Sequence, residues 1–253
     1  MAALTAPAIV PLIETRGLSR HFGGLKAVER VDFRLERGEI RAIIGPNGAG
    51  KTTFVSLVCG RIAPSSGSIL FEGRDITAMP AHRRVLEGIA YTFQITSIFP
   101  RLTVFDNVAL SVQRRLLAAG RVASQALETG VAEALERVGL ADRATMLAGS
   151  LSYGHQRLLE VAMGLALQPR LLILDEPTQG LSDGEIETFI ALVREIAREA
   201  TVLLIEHNMQ VVMELAQKIT VMSFGEVLAE GTPEEIRASA AVQDAYLGTG
   251  SDG

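Results

Sequence analysis

The sequence predicts an α/β fold, and three observations support this prediction. An apolar strand over residues 40–44 leads into a glycine-rich loop, which is followed by an apolar helix. Short strand patterns precede this loop, and strands alternate with helices from about residue 156 onward. Such alternation is typical of right-handed crossovers and of a parallel sheet covered by helices on both faces. We therefore expect an N-terminal antiparallel β layer beside a parallel α/β core.

The N-terminal layer is predicted from short strand-like segments separated by turns. Residues 13–33 contain such segments, with a break at Gly23 and Gly24. Residues 31–36 alternate apolar and polar side chains, as a half-buried strand does, and residues 68–71 form another short strand.

Residues 94 to about 150 have a helical pattern and predict an inserted helical subdomain. Thr103-x-x-Asp106 resembles a capping box at the start of its first helix. Two apolar stripes at helical spacing follow, and Gly139 closes the second; they comprise Val104, Val108 and Val112, then Leu127, Val131, Leu135 and Val138.

The second half predicts the parallel core. Helices are expected over 156–167, 186–198 and 209–217, and strands over 171–174, 201–205 and 218–222. Thr232 followed by Pro233 is typical of the N-terminus of one last helix.

Composition excludes several classes of protein. No uninterrupted apolar segment approaches the roughly 18 residues of a membrane span, and the first 16 residues do not resemble a signal peptide. The single cysteine, Cys59, excludes an internal disulfide and is expected to be a core residue. A net charge of −5 makes nucleic acid an unsuitable main partner, and the chain is expected to be soluble and cytoplasmic.

The glycine-rich loop predicts a nucleotide-phosphate site. It fits the pattern G-x-x-x-x-G-K-[ST], in which glycines let several backbone N–H groups approach one anion at a helix N-terminus. Lys51 would reach the β- and γ-phosphates, and the hydroxyl of Thr52 would bind Mg²⁺. The predicted phosphate-binding residues are Gly45, Pro46, Asn47, Gly48, Ala49, Gly50, Lys51, Thr52 and Thr53.

Polar side chains follow two of the predicted core strands. Asp175 and Glu176 end the strand at 171–174, and His207 follows the strand at 201–205. Because α/β folds bind ligands at the carboxyl edge of the sheet, Asp175 is predicted to hold Mg²⁺ and Glu176 to polarise the attacking water. His207 is predicted to bond the γ-phosphate. Gln94, between the core and the helical insertion, is a further catalytic and metal-binding candidate.

Two more sites are expected to contact a nucleotide. Phe22 precedes the glycine loop by about two dozen residues, and its ring could stack on a base or belong to the core. The segment LSYGHQ opens a helix with Ser152 and Gly154, which gives the chain a second anion-receptive helix N-terminus. Both helix N-termini would be used in a dimer in which each chain completes the other's nucleotide site.

These motifs, in this order and spacing, resemble the ATP-binding cassette (ABC) ATPases over nearly the whole chain. The residues that carry the resemblance are GPNGAGKTT, Phe93 with Gln94, LSYGHQ, LLILDEP and His207. Further segments, FGGLKAV, ITSIFPRLTVFDNV, EPTQGLS and TVLLIEHNM, are similar to the ATP-binding subunits of branched-chain amino-acid importers.

The resemblance implies one ABC domain over residues 1–253: a P-loop NTPase (RecA-like) core with an N-terminal antiparallel β subdomain and an inserted α-helical subdomain. Residues 1–93 and 158–253 would form the β subdomain and core, and about 94–157 the helical subdomain with the signature motif. It also implies that Phe22 stacks on adenine, that Ser152 and Gly154 contact the γ-phosphate of ATP on a partner subunit, and that the groove around Gln94 docks a helix of a membrane subunit.

Three positions depart from the commonest family pattern. Tyr153 and His155 replace the glycine and glutamine of the usual LSGGQ signature, and Ser182 stands where many members have an aspartate, with Asp183 one residue later. The roles of the usual residues are not carried over to these positions.

The implied function is that of the ATP-binding and ATP-hydrolysing subunit of a transporter that imports branched-chain or related amino acids. The expected cofactors are ATP and Mg²⁺. The expected partners are transmembrane permease subunits, a second copy or a related ATPase subunit in a dimer and, indirectly, a periplasmic or extracellular solute-binding protein. The chain would lie peripherally on the cytoplasmic face of the inner membrane.

Three alternatives stay open from the sequence. A lipid or lipopolysaccharide exporter has ATPase subunits of similar length and motifs. A soluble ABC ATPase acting on nucleic acid or ribosomes usually has two cassettes or coiled-coil insertions, neither of which fits this sequence. A GTP-driven switch would need an NKxD motif to read the base, and this motif is missing from the sequence.

Overall fold

The structure, a computed structural model, describes residues 10–92, 97–120 and 123–247. Its strands are β1 (Ile13–Phe22), β2 (Leu25–Leu35), β3 (Ile40–Ile44), β4 (Ser66–Phe71), β5 (Arg74–Asp75), β6 (Ile89–Thr92), β7 (Leu171–Asp175), β8 (Thr201–Ile205), β9 (Lys218–Ser223) and β10 (Glu226–Gly231). Its α-helices are α1 (Lys51–Val58), α2 (Ala81–Leu86), α3 (Val104–Ala118), α4 (Ser124–Arg137), α5 (Tyr153–Ala166), α6 (Asp183–Ile196), α7 (Met209–Leu215), α8 (Pro233–Ala238) and α9 (Ala240–Leu247).

The N-terminal strands form an antiparallel sheet in the order β2-β1-β4-β5. The sequence predicted several short strands over residues 13–33, and this prediction is wrong about their length. Strands β1 and β2 form one long hairpin in which Phe22 pairs with Leu25. Register shifts interrupt the pairing, and Gly17 and Arg30 have positive φ angles of 53° and 45°. Such bulges add residues that spoil the two-residue alternation, so the sequence pattern breaks although the strands continue.

The core sheet has the order β10-β9-β3-β8-β7-β6. Strands β9, β3, β8, β7 and β6 are parallel to their neighbours, as the alternation of strands and helices predicted, and β10 adds an antiparallel edge. Strand β10, whose residues are alternately exposed and half-buried, was not predicted from the sequence.

Side chains of the core strands point alternately into two apolar layers. Leu171 and Ile173 of β7 pack on the side of α1 and the antiparallel sheet, whereas Leu172 and Leu174 pack with the helices on the opposite side. Burial on both faces explains why β7 and β8 are almost continuously apolar in sequence.

The helices begin where side chains cap them. Thr103 and Asp106 form the predicted capping box of α3. Helices α5 and α6 were expected to start at residues 156 and 186, but each starts three residues earlier. Ser152 and Ser182 are the N-caps of these helices. The predicted last helix, α8, begins at Pro233, but α9 follows it.

The helices of the predicted insertion pack on one another and on α5. Val104, Val108, Val112 and Val131 are fully buried in one layer, and a Cβ on Gly130 of α4 would lie 2.9 Å from Val112 Cγ1. Helix α5 extends across the expected subdomain boundary at 157/158. Within the described ranges, no helix combines the length and the apolar character needed to cross a membrane.

A buried arginine fastens α1 to the segment before α2. Arg84 is only 1% exposed, and its guanidinium donates to five carbonyl oxygens at 2.7–3.0 Å, those of Leu57, Val58, Ile76, Thr77 and Met79. Two of these acceptors, Leu57 and Val58, belong to the last turn of α1, and the Leu57 carbonyl also accepts the N–H of Gly60 (3.0 Å). Arg84 therefore completes the C-terminal end of the helix that follows the glycine loop.

We predict that Arg84→Met lowers the free energy of unfolding by about 3 kcal/mol or more, because it leaves several buried carbonyls without a donor. Urea denaturation measures the change. Arg83→Met is the matched control, because Arg83 is the exposed neighbour on the same helix. Equal stability of the two variants would contradict the prediction.

Candidate functional site

The glycine loop lies against backbone atoms on two sides. Gly45 has φ 150°, and a Cβ there would lie 2.2 Å from the carbonyl oxygen of Met222. Gly50 has φ 97°, and its Cβ would lie 2.2 Å from the carbonyl oxygen of Ala27. Neither position has room for a side chain, so glycine is required for the loop to pack between β9 and β2.

Lys51, the first residue of α1, is folded onto the loop. Its side chain is buried, and Nζ donates to the carbonyl oxygens of Gly45 (2.7 Å) and Pro46 (3.1 Å). Burial lowers the pKa of Lys51, and the nearby carboxylates of Glu176 and Asp175 oppose that shift.

The start of α1 is open to an anion. Its N-cap is Gly50, which has no side-chain oxygen to bond the first backbone N–H groups. Asn47, Gly48 and Thr52 are exposed around this end of the helix. The loop therefore offers free helix N–H groups beside a buried ammonium group, a combination suited to a phosphate chain.

Neighbouring strands bring the carboxylates and His207 to the same edge. Ile43 of β3 and Asp175 of β7 both pair with Ile205 of β8, so the three strands end side by side. Glu176 follows β7 and His207 follows β8 by two residues, and Glu176 Oε1 lies 3.9 Å from His207 Nδ1. The predicted convergence of these side chains is present in the structure.

Glu176 has a strained backbone. Its φ of 47° lies in the left-handed region, which a residue with a Cβ adopts only when its surroundings impose it. Its N–H donates to the carbonyl oxygen of Ile205 (2.8 Å), which pins the residue to the end of β8. The chain thus turns away from the sheet immediately after Asp175, which aims the two adjacent carboxylates differently.

Asp175 is almost completely buried, and the Tyr91 hydroxyl donates to its Oδ2 at 2.6 Å. Burial raises the pKa of Asp175, and the hydrogen bond from Tyr91 opposes part of the rise. Burial also raises the pKa of Tyr91, as does the adjacent carboxylate, so the phenol stays a donor. Asp175 therefore carries a charge that the folded protein alone stabilises poorly.

A second buried carboxylate, Glu206, joins the loops after β7 and β8. One of its oxygens accepts from the backbone N–H (3.0 Å) and the hydroxyl of Thr178. The other accepts from the N–H groups of His207 (2.9 Å) and Asn208 (3.0 Å). Glu206 thereby fixes the backbone that carries His207 against the segment that carries Glu176.

Phe22 lies at the end of β1 and is 46% exposed, so it is not a core residue. The guanidinium of Arg20 stacks over its ring, 4.5 Å from the centroid. The ring is available to a planar ligand on the side that Arg20 does not cover.

The signature segment forms the start of α5. Ser152 is the N-cap, and its hydroxyl accepts the N–H of His155 (3.3 Å). Gly154 is buried against α6, where a Cβ would lie 2.3 Å from Glu185 Oε1. Ser152 is exposed. Phe93 and Gln94 lie outside the described residues.

Four residues of this region were not predicted from the sequence. They are Tyr91, Glu206 and the buried pair of Arg157 with Glu160 (3.0 Å). The sequence does show Tyr91 at the end of an apolar segment and Glu206 next to the candidate His207. Neither position indicates which residue its side chain would bond.

The comparisons with known proteins are in agreement with this geometry. Residues 28–179 match the ABC transporter family, and residues 226–252 match the branched-chain amino acid ATP-binding cassette transporter family. The chain belongs to the ABC transporter family. The resemblance, the α/β fold class and the ATPase class expected from the sequence are thereby confirmed.

Two relatives of this ABC protein align over almost their full length. The high-affinity branched-chain amino acid transport ATP-binding protein BraF of Pseudomonas aeruginosa is 39% identical over 250 residues, 94% of this chain and 98% of BraF. LivG of Salmonella typhimurium, described in the same words, is also 39% identical, with the same coverage. The solved ADP conformation of MJ1267, an ATP-binding cassette of an ABC transporter, superposes with a TM-score of 0.83 at 28% identity, over 94% of this chain and 99% of that chain.

We predict that Asp175→Asn stabilises the ligand-free protein at pH 7. An acid whose pKa is raised by folding binds more protons in the folded state, so its contribution to stability falls as the pH rises above the ordinary range for aspartate. The variant should exceed the wild type by about 1 kcal/mol or more at neutral pH, and the difference should shrink toward pH 4.

Urea titrations at several pH values measure this difference. Asp142→Asn is the control, because the Asp142 side chain is 75% exposed and should give no such pH-dependent gain. A variant that is less stable than the wild type by the same amount at every pH would contradict the prediction.

Proposed function

We propose that this chain is the ATP-hydrolysing subunit of a transporter that imports branched-chain or related amino acids. The observation that carries the proposal is the common edge of β3, β8 and β7, where the glycine loop, His207 and Glu176 meet. The names of BraF and LivG, both branched-chain amino acid transport proteins, support the class of solute.

The glycine loop holds the phosphates. The N–H groups at the start of α1 bond the phosphate oxygens, and Lys51 moves from the carbonyls of Gly45 and Pro46 to the β- and γ-phosphates. The ammonium group exchanges neutral acceptors for charged ones, which strengthens its hydrogen bonds. Phe22 stacks on the adenine ring with its open face.

The metal candidates suit Mg²⁺, which prefers oxygen ligands. Thr52 offers an exposed hydroxyl at the first turn of α1, and Asp175 offers a carboxylate at the end of the adjacent strand. Gln94 belongs to the same candidate set. When bound, Mg²⁺ would neutralise charge on the β- and γ-phosphates. A nearby cation would also stabilise the ionised form of Asp175, whose pKa burial raises.

Glu176 and His207 act on the water and the γ-phosphate. Glu176 accepts a proton from the attacking water. The water oxygen forms the new bond to the γ-phosphorus as the bond to the β,γ-bridging oxygen breaks, and ADP leaves with that oxygen. His207 donates to a γ-phosphate oxygen. The strained backbone of Glu176 and its link to Ile205 preorganise the carboxylate for this one position.

Ser152 and Gly154 act on the nucleotide of a second subunit. The exposed start of α5 closes over ATP bound to the glycine loop of a second copy or of a related ATPase subunit. Closure and opening of this dimer drive transmembrane permease subunits, and the chain lies peripherally on the cytoplasmic face of the membrane. A solute-binding protein outside the membrane delivers the amino acid to the permease.

We predict that Glu176→Gln binds ATP, hydrolyses it at least about 100-fold more slowly, and accumulates as a nucleotide-dependent dimer. Removal of the base blocks hydrolysis, while the contacts that bind ATP remain. Size-exclusion chromatography with Mg-ATP and a phosphate-release assay measure both effects. Glu199→Gln, at a side chain that is 67% exposed on the surface, is the matched control. Undiminished turnover together with a monomeric variant would refute this role.

The solute class is tested separately. The tagged chain is purified from its native membrane, the copurifying permease is identified, and ATPase activity is measured in proteoliposomes with the solute-binding protein. Leucine, isoleucine or valine should raise the rate, whereas a sugar such as ribose should not. Stimulation by lipid alone would favour an exporter instead.

A further inference from the structure

The signature serine is hydrogen-bonded to a histidine on its own helix. Ser152 Oγ lies 2.7 Å from His155 Nδ1. The usual signature has glutamine at this position, and glutamine has no charge to gain or lose. Histidine is the residue whose charge ordinarily changes between pH 5 and 8. The departure at position 155 therefore places a titratable group directly on the hydroxyl that the proposed function aims at ATP.

A fixed carboxylate, that of Glu185, lies near the imidazole. His155 and Glu185 line one cavity of about 190 Å³ between α5 and α6. Its other lining residues, Gly154, Leu158, Leu181, Gly184 and Thr188, carry no charge. On α5 itself the nearest charged side chains, Arg157 and Glu160, are paired with each other and buried.

Glu185 is ionised and cannot move freely. Its Oε2 accepts from the N–H (2.9 Å) and the hydroxyl (2.7 Å) of Ser182. These bonds, together with the nearby His155, hold the pKa of Glu185 below its usual value. The carboxylate attracts an imidazolium at position 155, whereas the positive end of α5 opposes it.

The presence of a hydrogen on His155 Nδ1 decides what the Ser152 hydroxyl can do, and the contact of 2.7 Å fits either direction of the hydrogen bond. A neutral ring whose hydrogen is on Nε2 accepts the hydroxyl hydrogen at Nδ1, and Ser152 then has no hydrogen left for a phosphate. An imidazolium carries hydrogens on both nitrogens and can only donate to Oγ. In that state the hydroxyl hydrogen must point elsewhere, and Ser152 is exposed to solvent at the start of α5.

We propose that His155 is a positioning residue: its protonated ring turns the Ser152 hydroxyl outward to donate to the γ-phosphate of ATP on the opposite subunit. The inference rests on the proposed function, because only the ATP-bound dimer places a phosphate at Ser152. The imidazolium adds a positive charge beside the same phosphate. Closure of the dimer is consequently tighter when this ring is protonated.

The test compares the wild type with His155→Gln, which restores the usual family residue. The kcat/KM for ATP is measured from about pH 6 to pH 8. The ratio of wild type to variant should fall by about three- to tenfold over this range, since one charge-assisted hydrogen bond is lost. All other ionisable groups, including those of ATP, are the same in both measurements, so their pH dependence cancels in the ratio.

Two further measurements make the result specific. In a Ser152→Ala background, kcat/KM is measured with and without His155→Gln. The ratio of these two values should no longer change with pH. In a Glu176→Gln background, the ATP concentration for half-maximal dimer formation is compared with and without His155→Gln. The concentration with His155, divided by that with glutamine, should rise with pH. The dimer measurement does not depend on hydrolysis.

The outcomes separate this inference from the proposed function. A wild type that neither hydrolyses ATP nor forms an ATP-dependent dimer would overturn the proposed function itself. Normal hydrolysis with a pH-independent ratio, or a ratio that rises with pH, would overturn only the role of His155.

Discussion

The parallel pairing of β3, β8 and β7 is the constraint on which the candidate site depends. Because Ile43, Ile205 and Asp175 share one register, the loops that follow these strands leave the sheet at the same edge. Successive residues of a strand face opposite sides, so a slip of one residue in β7 could put Glu176 in the place of Asp175 and Asp175 in the place of Leu174. The apolar layers on both faces of the sheet prevent such a slip, and the core thereby fixes the geometry of the site.

The site itself is built from groups that cost stability. Lys51 and Asp175 are charged and buried, and Glu176 has a left-handed backbone. Each of these features is unfavourable in the ligand-free protein, and a phosphate chain with its cation would relieve the two buried charges. The surrounding structure compensates with buried hydrogen-bond networks, as Glu206 does between two loops and Arg84 does at the end of α1.

Local signals predicted more of this protein than long-range ones. The strand at 201–205 and the capping box at Thr103 were correctly placed, because an apolar run and a cap are encoded within a few neighbouring residues. The length of the β1–β2 hairpin was missed because its bulges break the alternation. The partner of Tyr91 lies 84 residues away, at Asp175, and only the register of the sheet brings them together. The roles of the site residues stay predictions, supported by the positions of these side chains.

The unusual signature residues gain a physical account from their neighbours. The Tyr153 ring lies against Gly180, where a Cβ would be 3.0 Å from it, in the loop that follows Glu176. Its hydroxyl accepts from Arg157 (3.0 Å), which pairs with Glu160. Glu160 in turn accepts the N–H of Ser97 (2.5 Å), which follows Gln94 by three residues in the sequence. A continuous set of contacts thus joins the start of α5 to the loop that follows Glu176 and to Ser97, so any movement of α5 must be accommodated at both places.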